Sequence, residues 1–229
     1  MIRTRWNEHP TQDVFSPIMN TTPLKIAIVS GTDRPGSNTR LVTDYIYRRL
    51  SEQTIDLEAS NLQIKDQQTK DLQTATTSQI DLTILDLADY PTADVAGGVY
   101  GKTPASVETF HQPFLDADGV IFVLPEYNGS FPGILKLFID YLPHPEALKG
   151  VPVGYVANAS GYFGGLRAVE QLQMVCGYRY ARSFEERVFI PAVHKEFDPK
   201  KGIADPFRQS LMESFLEQFP HFVTLNTRI

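Results

Sequence analysis

Three apolar runs constrain this chain more than any other feature of its sequence. LKIAIV at 24–29, GVIFVL at 119–124 and VPVGYVA at 151–157 are continuous and rich in β-branched residues. A strand with one wet face alternates polar and apolar; runs like these are buried on both faces, which calls for helices above and below a parallel sheet. Stretches with helical spacing separate them. After Ser37 the apolar residues Leu41, Val42, Tyr45, Ile46 and Leu50 fall on one stripe, with Ser37 or Asn38 as a suitable N-cap. Further helices are predicted over 104–117, 131–142, 164–175 and 206–219, with Phe207, Leu211, Phe215, Leu216 and Phe219 on the apolar side of the last.

Two weaker strands complete the set. IDLTILDL at 80–87 alternates enough for a strand near a sheet edge, and 188–193 reads as a fifth strand. The expected fold class is therefore α/β: a flavodoxin-like three-layer sandwich around a five-stranded parallel sheet in the order 2-1-3-4-5. Residues 88–103, with Pro91 and three glycines, read as an irregular loop. Residues 51–79 are polar, with no glycine, proline or aromatic residue, so the stretch near 55–79 is expected to be a surface insertion. Residues 1–23 lack the apolar core of a secretory signal and are expected to form a mobile extension to a single domain over 24–229.

Composition narrows the function. A net charge of -6 argues against nucleic acid as partner, because phosphate-backbone binding needs a concentrated basic face. No apolar run approaches the roughly 18 residues of a membrane span. One cysteine, Cys176, in helical-looking sequence reads as a small buried hydrophobe, and the five histidines show no metal-ligand spacing. Neither membrane nor metal is expected, and the cytoplasm is the expected compartment.

Ligands of open parallel sheets bind beyond the carboxyl ends of the strands, where strand order reverses. For this order the reversal lies between strands 1 and 3, with strand 4 beside them. The loops that follow are GTDRPGSNT at 31–39, PEYNGSFPG at 125–133 and NASGYFGG at 158–165, all rich in Gly, Ser and Asn. In the first, Thr32, Ser37 and Thr39 offer hydroxyls, Arg34 a guanidinium, and the following helix its unpaired N–H groups, which together suit a phosphate. The same residues also make a plain DRPG turn before a capped helix. Gly31 and Gly36 have P-loop spacing, but Ser37 and Asn38 stand where Lys and Ser/Thr belong, and no GxGxxG is present, leaving a monophosphate. Asn128-Gly129 can present peptide N–H groups to a flat ring such as a flavin, Tyr127 can lie against it, and Gly161, Gly164 and Gly165 allow close backbone approach.

At these residues the chain resembles the NADPH-dependent FMN reductases, which include flavodoxin-like quinone, azo-dye and chromate reductases. GTDRPGS matches a GSxRxxS-type phosphate loop. PEYNGSFPG followed by LKLFIDYL matches the second motif, and NASGYFGGLRAVEQL the third. The resemblance implies that Thr32, Arg34, Ser37, Asn38 and Thr39 hold the FMN phosphate. It implies that Pro125, Glu126, Tyr127, Asn128, Gly129 and Ser130 border the isoalloxazine, with Ser160 and Gly161 completing the ring site. It further implies FMN as cofactor, NADPH or NADH as electron donor, a small-molecule acceptor and a homodimer or homotetramer. Hydride transfer to flavin N5 needs no side-chain acid or base, so no catalytic residue is assigned. Asp33 adds a negative charge beside the phosphate loop and is expected either to point away or to weaken binding, and Gln173 stands where the family often has Arg. An electron carrier of flavodoxin type, and a flavin-free interaction scaffold, are the alternative readings.

Overall fold

The computed structural model describes residues 23–64, 80–95 and 102–226, with 53–64 described by backbone alone. Its centre is a parallel sheet in the order β2-β1-β3-β4-β5, with β1 at Leu24–Ser30, β2 at Ile80–Asp86, β3 at Gly119–Pro125, β4 at Pro152–Asn158 and β5 at Arg182–Ile190. Ile28 of β1 sits beside Ile84 on one side and Ile121 on the other, so the centre of β1 is paired along both edges. The flavodoxin-like order read from the sequence is the order found.

The pleat sends successive residues to opposite faces, and each face has its own helices. Ile26 and Ile28 pack with α1 (Asn38–Ile64) and α7 (Pro206–Asn226). Ala27 and Val29 pack with α3 (Ala105–Leu115), α4 (Gly133–Tyr141) and α5 (Leu166–Tyr178). Between β2 and α3 lie a single 3-10 turn, Leu87–Asp89, and a short α2, Thr92–Val95, where the sequence suggested only an irregular loop. A short α6 (Val193–Glu196) and a two-stranded hairpin of β6 (Phe197–Asp198) and β7 (Gly202–Ile203) lead into α7.

Four boundaries differ from expectation for identifiable reasons. α1 runs on to Ile64, well into the polar stretch, because the helix already anchored by Val42, Tyr45, Ile46 and Leu50 needs no apolar stripe to propagate. The remainder of the proposed insertion, 65–79, and all of the proposed extension except Pro23 lie outside the described residues. β5 begins at Arg182 rather than 188: as an edge strand its first half carries exposed polar residues, so it lacks an apolar signature. It stops at Ile190 because Pro191 follows and Ala192 turns left-handed at φ 42°. α7 passes through Pro220 and continues to Asn226, held by Val223 at the far end. Phe207 and Leu211 are 70% and 37% exposed; the buried stripe is Met212, Phe215, Leu216, Phe219 and Val223, which leaves both residues off it.

Candidate functional site

A cleft opens at the carboxyl ends of β1, β3 and β4, where the strand order reverses. It has two contiguous chambers. One, of about 210 Å³, is lined by residues 34–39, 125–127 and 158–160 together with Val193. The other, of about 320 Å³, is lined by Arg34, residues 126–129, residues 159–164 and Arg167. Arg34, Glu126, Tyr127, Ala159 and Ser160 line both, so the chambers form one continuous site. A larger groove of about 710 Å³ runs between α4 and α5, and of the expected site residues it includes only Ser130.

The first chamber gathers hydrogen-bond donors. Ser37 caps α1, its Oγ accepting the Arg40 N–H at 3.1 Å, which leaves its own hydroxyl hydrogen free to donate outward. Gly36 holds φ 64°, which glycine adopts without strain. The backbone N–H groups of Gly36, Ser37, Asn38 and Thr39 have no protein partner among the described residues. Four unpaired donors at the positive end of a 27-residue helix suit a phosphate in both charge and hydrogen bonding. Thr39 and Asn158, 1% and 2% exposed, face each other across the floor, the Asn158 amide donating to Thr39 Oγ1 at 3.2 Å. Arg34 is exposed, with its guanidinium 5.9 Å from the centre of the Tyr127 ring. Asp33 is exposed and lines neither chamber.

The second chamber is backbone-lined. Tyr127 and Ser130 exchange both backbone hydrogen bonds, at 2.8 and 3.0 Å, across the Asn128-Gly129 turn. Asn128 at φ 52° and Gly129 at φ 75° make this a two-residue turn of the primed kind, for which Asn-Gly is the preferred pair. The N–H groups of both turn residues lack a protein partner among the described residues. Glu126 Oε1 accepts from Arg167 Nη1 at 3.2 Å, while its Oε2 is buried with no hydrogen-bond partner. Gly164 lines the opposite wall, and the next residue, Gly165, at φ 99°, lies so close to β4 that a Cβ would come 2.6 Å from that of Ala157, so only glycine fits.

The structure brings together eleven of the thirteen residues read from the sequence. Thr32 and Ser130 are the exceptions. Thr32 is fully buried, and its hydroxyl bonds the Tyr127 phenol at 2.8 Å, so it orients that ring from behind the cleft. The Ser130 hydroxyl turns away to donate to Gln171 Oε1 at 2.6 Å. Sequence reasoning missed Asn158, Ala159, Tyr162, Phe163, Arg167 and Val193. Asn158 stood at the head of a loop already singled out, and Arg167 followed the double glycine, so both carried a usable signal; Val193, delivered from beyond β5, carried none. Gln173 does not reach the cleft, and accepts instead from Arg187 Nη1 at 3.1 Å. Cys176 is fully buried, and burial pushes its thiol up to about 12, which leaves it an unreactive core residue. Among the described residues no group of three or more His, Cys, Asp or Glu could hold a metal ion.

A family model described as NADPH-dependent FMN reductase matches residues 24–195, most of the chain. The chain belongs to that family. A quinone reductase of Escherichia coli K12 is 34% identical over 119 residues, a match that spans 51% of this chain and only 63% of that one. A quinone reductase of Pseudomonas putida is 30% identical over 164 residues, spanning 66% of this chain and 83% of that one. Among solved structures, a flavoenzyme NAD(P)H:(acceptor) oxidoreductase of Paracoccus denitrificans superposes with a TM-score of 0.64 at 16% identity, covering 90% of this chain and all of that one. At that identity the likeness is one of fold.

Proposed function

We propose that the protein is an NAD(P)H-dependent flavin oxidoreductase that binds FMN in the cleft and reduces a quinone, an azo compound or another small acceptor. The observation that carries this reading is the junction of a four-donor anion cradle with a backbone-lined slot in one cleft, in a chain of this family. When bound, FMN supplies the hydride and electron chemistry. The chain's contribution is binding and position. Ser37, the free N–H groups of residues 36–39 and Arg34 would hold the phosphate, over a floor formed by the Thr39–Asn158 pair. Thr32 acts through Tyr127, which forms a wall of the slot. Pro125, Glu126, Asn128, Gly129, Ser160 and Gly161 would complete the walls around the ring. No side chain is assigned a proton-transfer role.

We assign NADPH or NADH as donor and the cytoplasm, which holds those pools, as the site of action. Among the described residues no helix is long and apolar enough to cross a membrane. Assembly as a homodimer or homotetramer is part of the same reading, supported by exposed Met174, Tyr178 and Tyr180 on and just after α5; gel filtration with light scattering tests it. The deciding experiment is an absorption spectrum of purified protein incubated with FMN and desalted, followed by anaerobic NADPH. Retained yellow colour that bleaches quickly is expected. Colour that neither NADPH nor NADH bleaches would indicate an electron carrier, and a colourless protein would overturn the flavin assignment.

A further inference from the structure

The turn at residues 127–130 is gripped from outside by one face of α5. Arg167 and Gln171 are four residues apart and so project from the same side of that helix. Arg167 reaches Glu126 Oε1 at 3.2 Å, and its stem passes so close to Gly129 that a Cβ there would lie 3.9 Å from Cδ. The Phe163 ring backs its guanidinium at 4.8 Å. Gln171 makes two bonds with its one amide: Nε2 donates to the Gly129 carbonyl at 2.8 Å, and Oε1 accepts from the Ser130 hydroxyl at 2.6 Å.

None of these contacts is needed to close the turn, since its two cross-turn bonds and its Asn-Gly pair already do so. They act on what a closed turn leaves free, namely its tilt and the rotation of its peptide planes. Three peptides are concerned. The carbonyl of Tyr127 accepts from Ser130, and the Gly129–Ser130 peptide is held by Tyr127 on its N–H and by Gln171 on its carbonyl. The central Asn128–Gly129 peptide has neither its N–H nor its carbonyl bonded among the described residues. It follows its neighbours, and beside a glycine little else resists its rotation. Holding the flanking peptide therefore determines where the central N–H points.

We propose that Arg167 and Gln171 are positioning residues that aim the free N–H groups of Asn128 and Gly129 at the bound flavin ring, and thereby set the reduction potential of the cofactor. The inference rests on the FMN reading above. Donors fixed in advance toward the place where charge accumulates favour the charged form without reorganisation; donors free to turn away favour it less. The balance between oxidised and reduced FMN then depends on α5, whose side chains grip the turn from behind.

The test compares wild type with Gln171→Met, which keeps the volume and loses both bonds, and Gln171→Asn, which stays uncharged and is one methylene too short to hold both partners. Melting temperature without FMN, FMN affinity by fluorescence quenching and the two-electron midpoint potential are measured for each. Both variants are expected to weaken binding of reduced FMN about tenfold relative to oxidised FMN, a shift of about 30 mV to more negative potential. The FMN-free melting temperature is expected to stay near wild type, since Gln171 is only part-buried. If Gln171→Met also loses stability, the potential of the uncharged Gln171→Asn decides. Unchanged potentials in folded variants that retain FMN overturn the inference and leave the cofactor reading intact. A wild-type protein that retains no FMN overturns both.

Discussion

Ser37 lends its oxygen to the first turn of α1 and keeps its hydrogen for whatever enters the cleft, so helix stability and ligand affinity meet in one side chain. Aspartate separates the two roles. It caps a helix about as well as serine, but it places a carboxylate among donors arranged for an anion. Ser37→Asp is expected to melt within a degree or two of wild type and to bind FMN more than tenfold more weakly; Ser37→Ala is expected to lose about 1 kcal/mol of stability and some affinity. Thermal melts and flavin titrations read both. Ser37 was legible because capping is local, decided by residues three positions away. Asn158 stood at the head of a loop already singled out, but its pairing with Thr39 was not legible, because the fold brings the two together and no spacing along the chain announces such a pair. A second residue speaks to pH. His111 is 2% exposed, packed on Phe138 and 3.4 Å from the Tyr90 phenol, and burial pushes it down to about 4 from an ordinary 6.5. Between those values only the unfolded chain holds the proton. Its contribution is therefore fully present above about pH 6.5, is lost as pH falls to about 4, and reaches about 3 kcal/mol. In urea titrations His111→Phe is expected to show a shallower loss of stability over that window than wild type.

Helices and strands were legible where burial stamped a pattern on them, and illegible where neighbours supplied the reason for their form. β1, β3 and β4 announced themselves because both faces are covered. β5 has an exposed edge and revealed only its apolar end. α7 shows the other limit. Proline normally stops a helix, so the expected end was Phe219, yet the helix runs about two turns further because the sheet leaves room for it. That room is made by glycine. A Cβ on Gly119 would lie 2.5 Å from Val223, and one on Gly154 would lie 2.6 Å from Phe215. The two glycines bring α7 down onto β3 and β4, and the contact with Val223 offsets the bond that Pro220 cannot make. Val223→Ala removes two buried methyl groups at this contact and is expected to cost about 2 kcal/mol. In a chain of this size that corresponds to a fall in melting temperature of roughly 4–8 °C, readable by calorimetry. A loss under half a degree would mean that the last turns of α7 are dispensable.

At the scale of the molecule, strand order decides where chemistry can occur, and alternation of elements decides strand order; this is why the cleft was predictable in place but not in its full lining. Its walls come from the ends of three strands, the starts of α1 and α5, and Val193 beyond β5, so a ligand there ties together parts that the unfolded chain scatters. Such a ligand binds only the folded form. At a hundred times its dissociation constant FMN should add about 2.7 kcal/mol, a rise in melting temperature of roughly 5–11 °C. Riboflavin carries the same ring without the phosphate, and inorganic phosphate carries the anion without the ring. If the cradle at residues 36–39 supplies much of the affinity, riboflavin at equal concentration should raise the melting temperature far less than FMN. Ser37→Asp should then reduce the FMN response to the riboflavin level while leaving the riboflavin response unchanged. Equal responses of wild type to FMN and riboflavin would place the affinity in the ring slot, and would reduce the first loop to a turn before a capped helix.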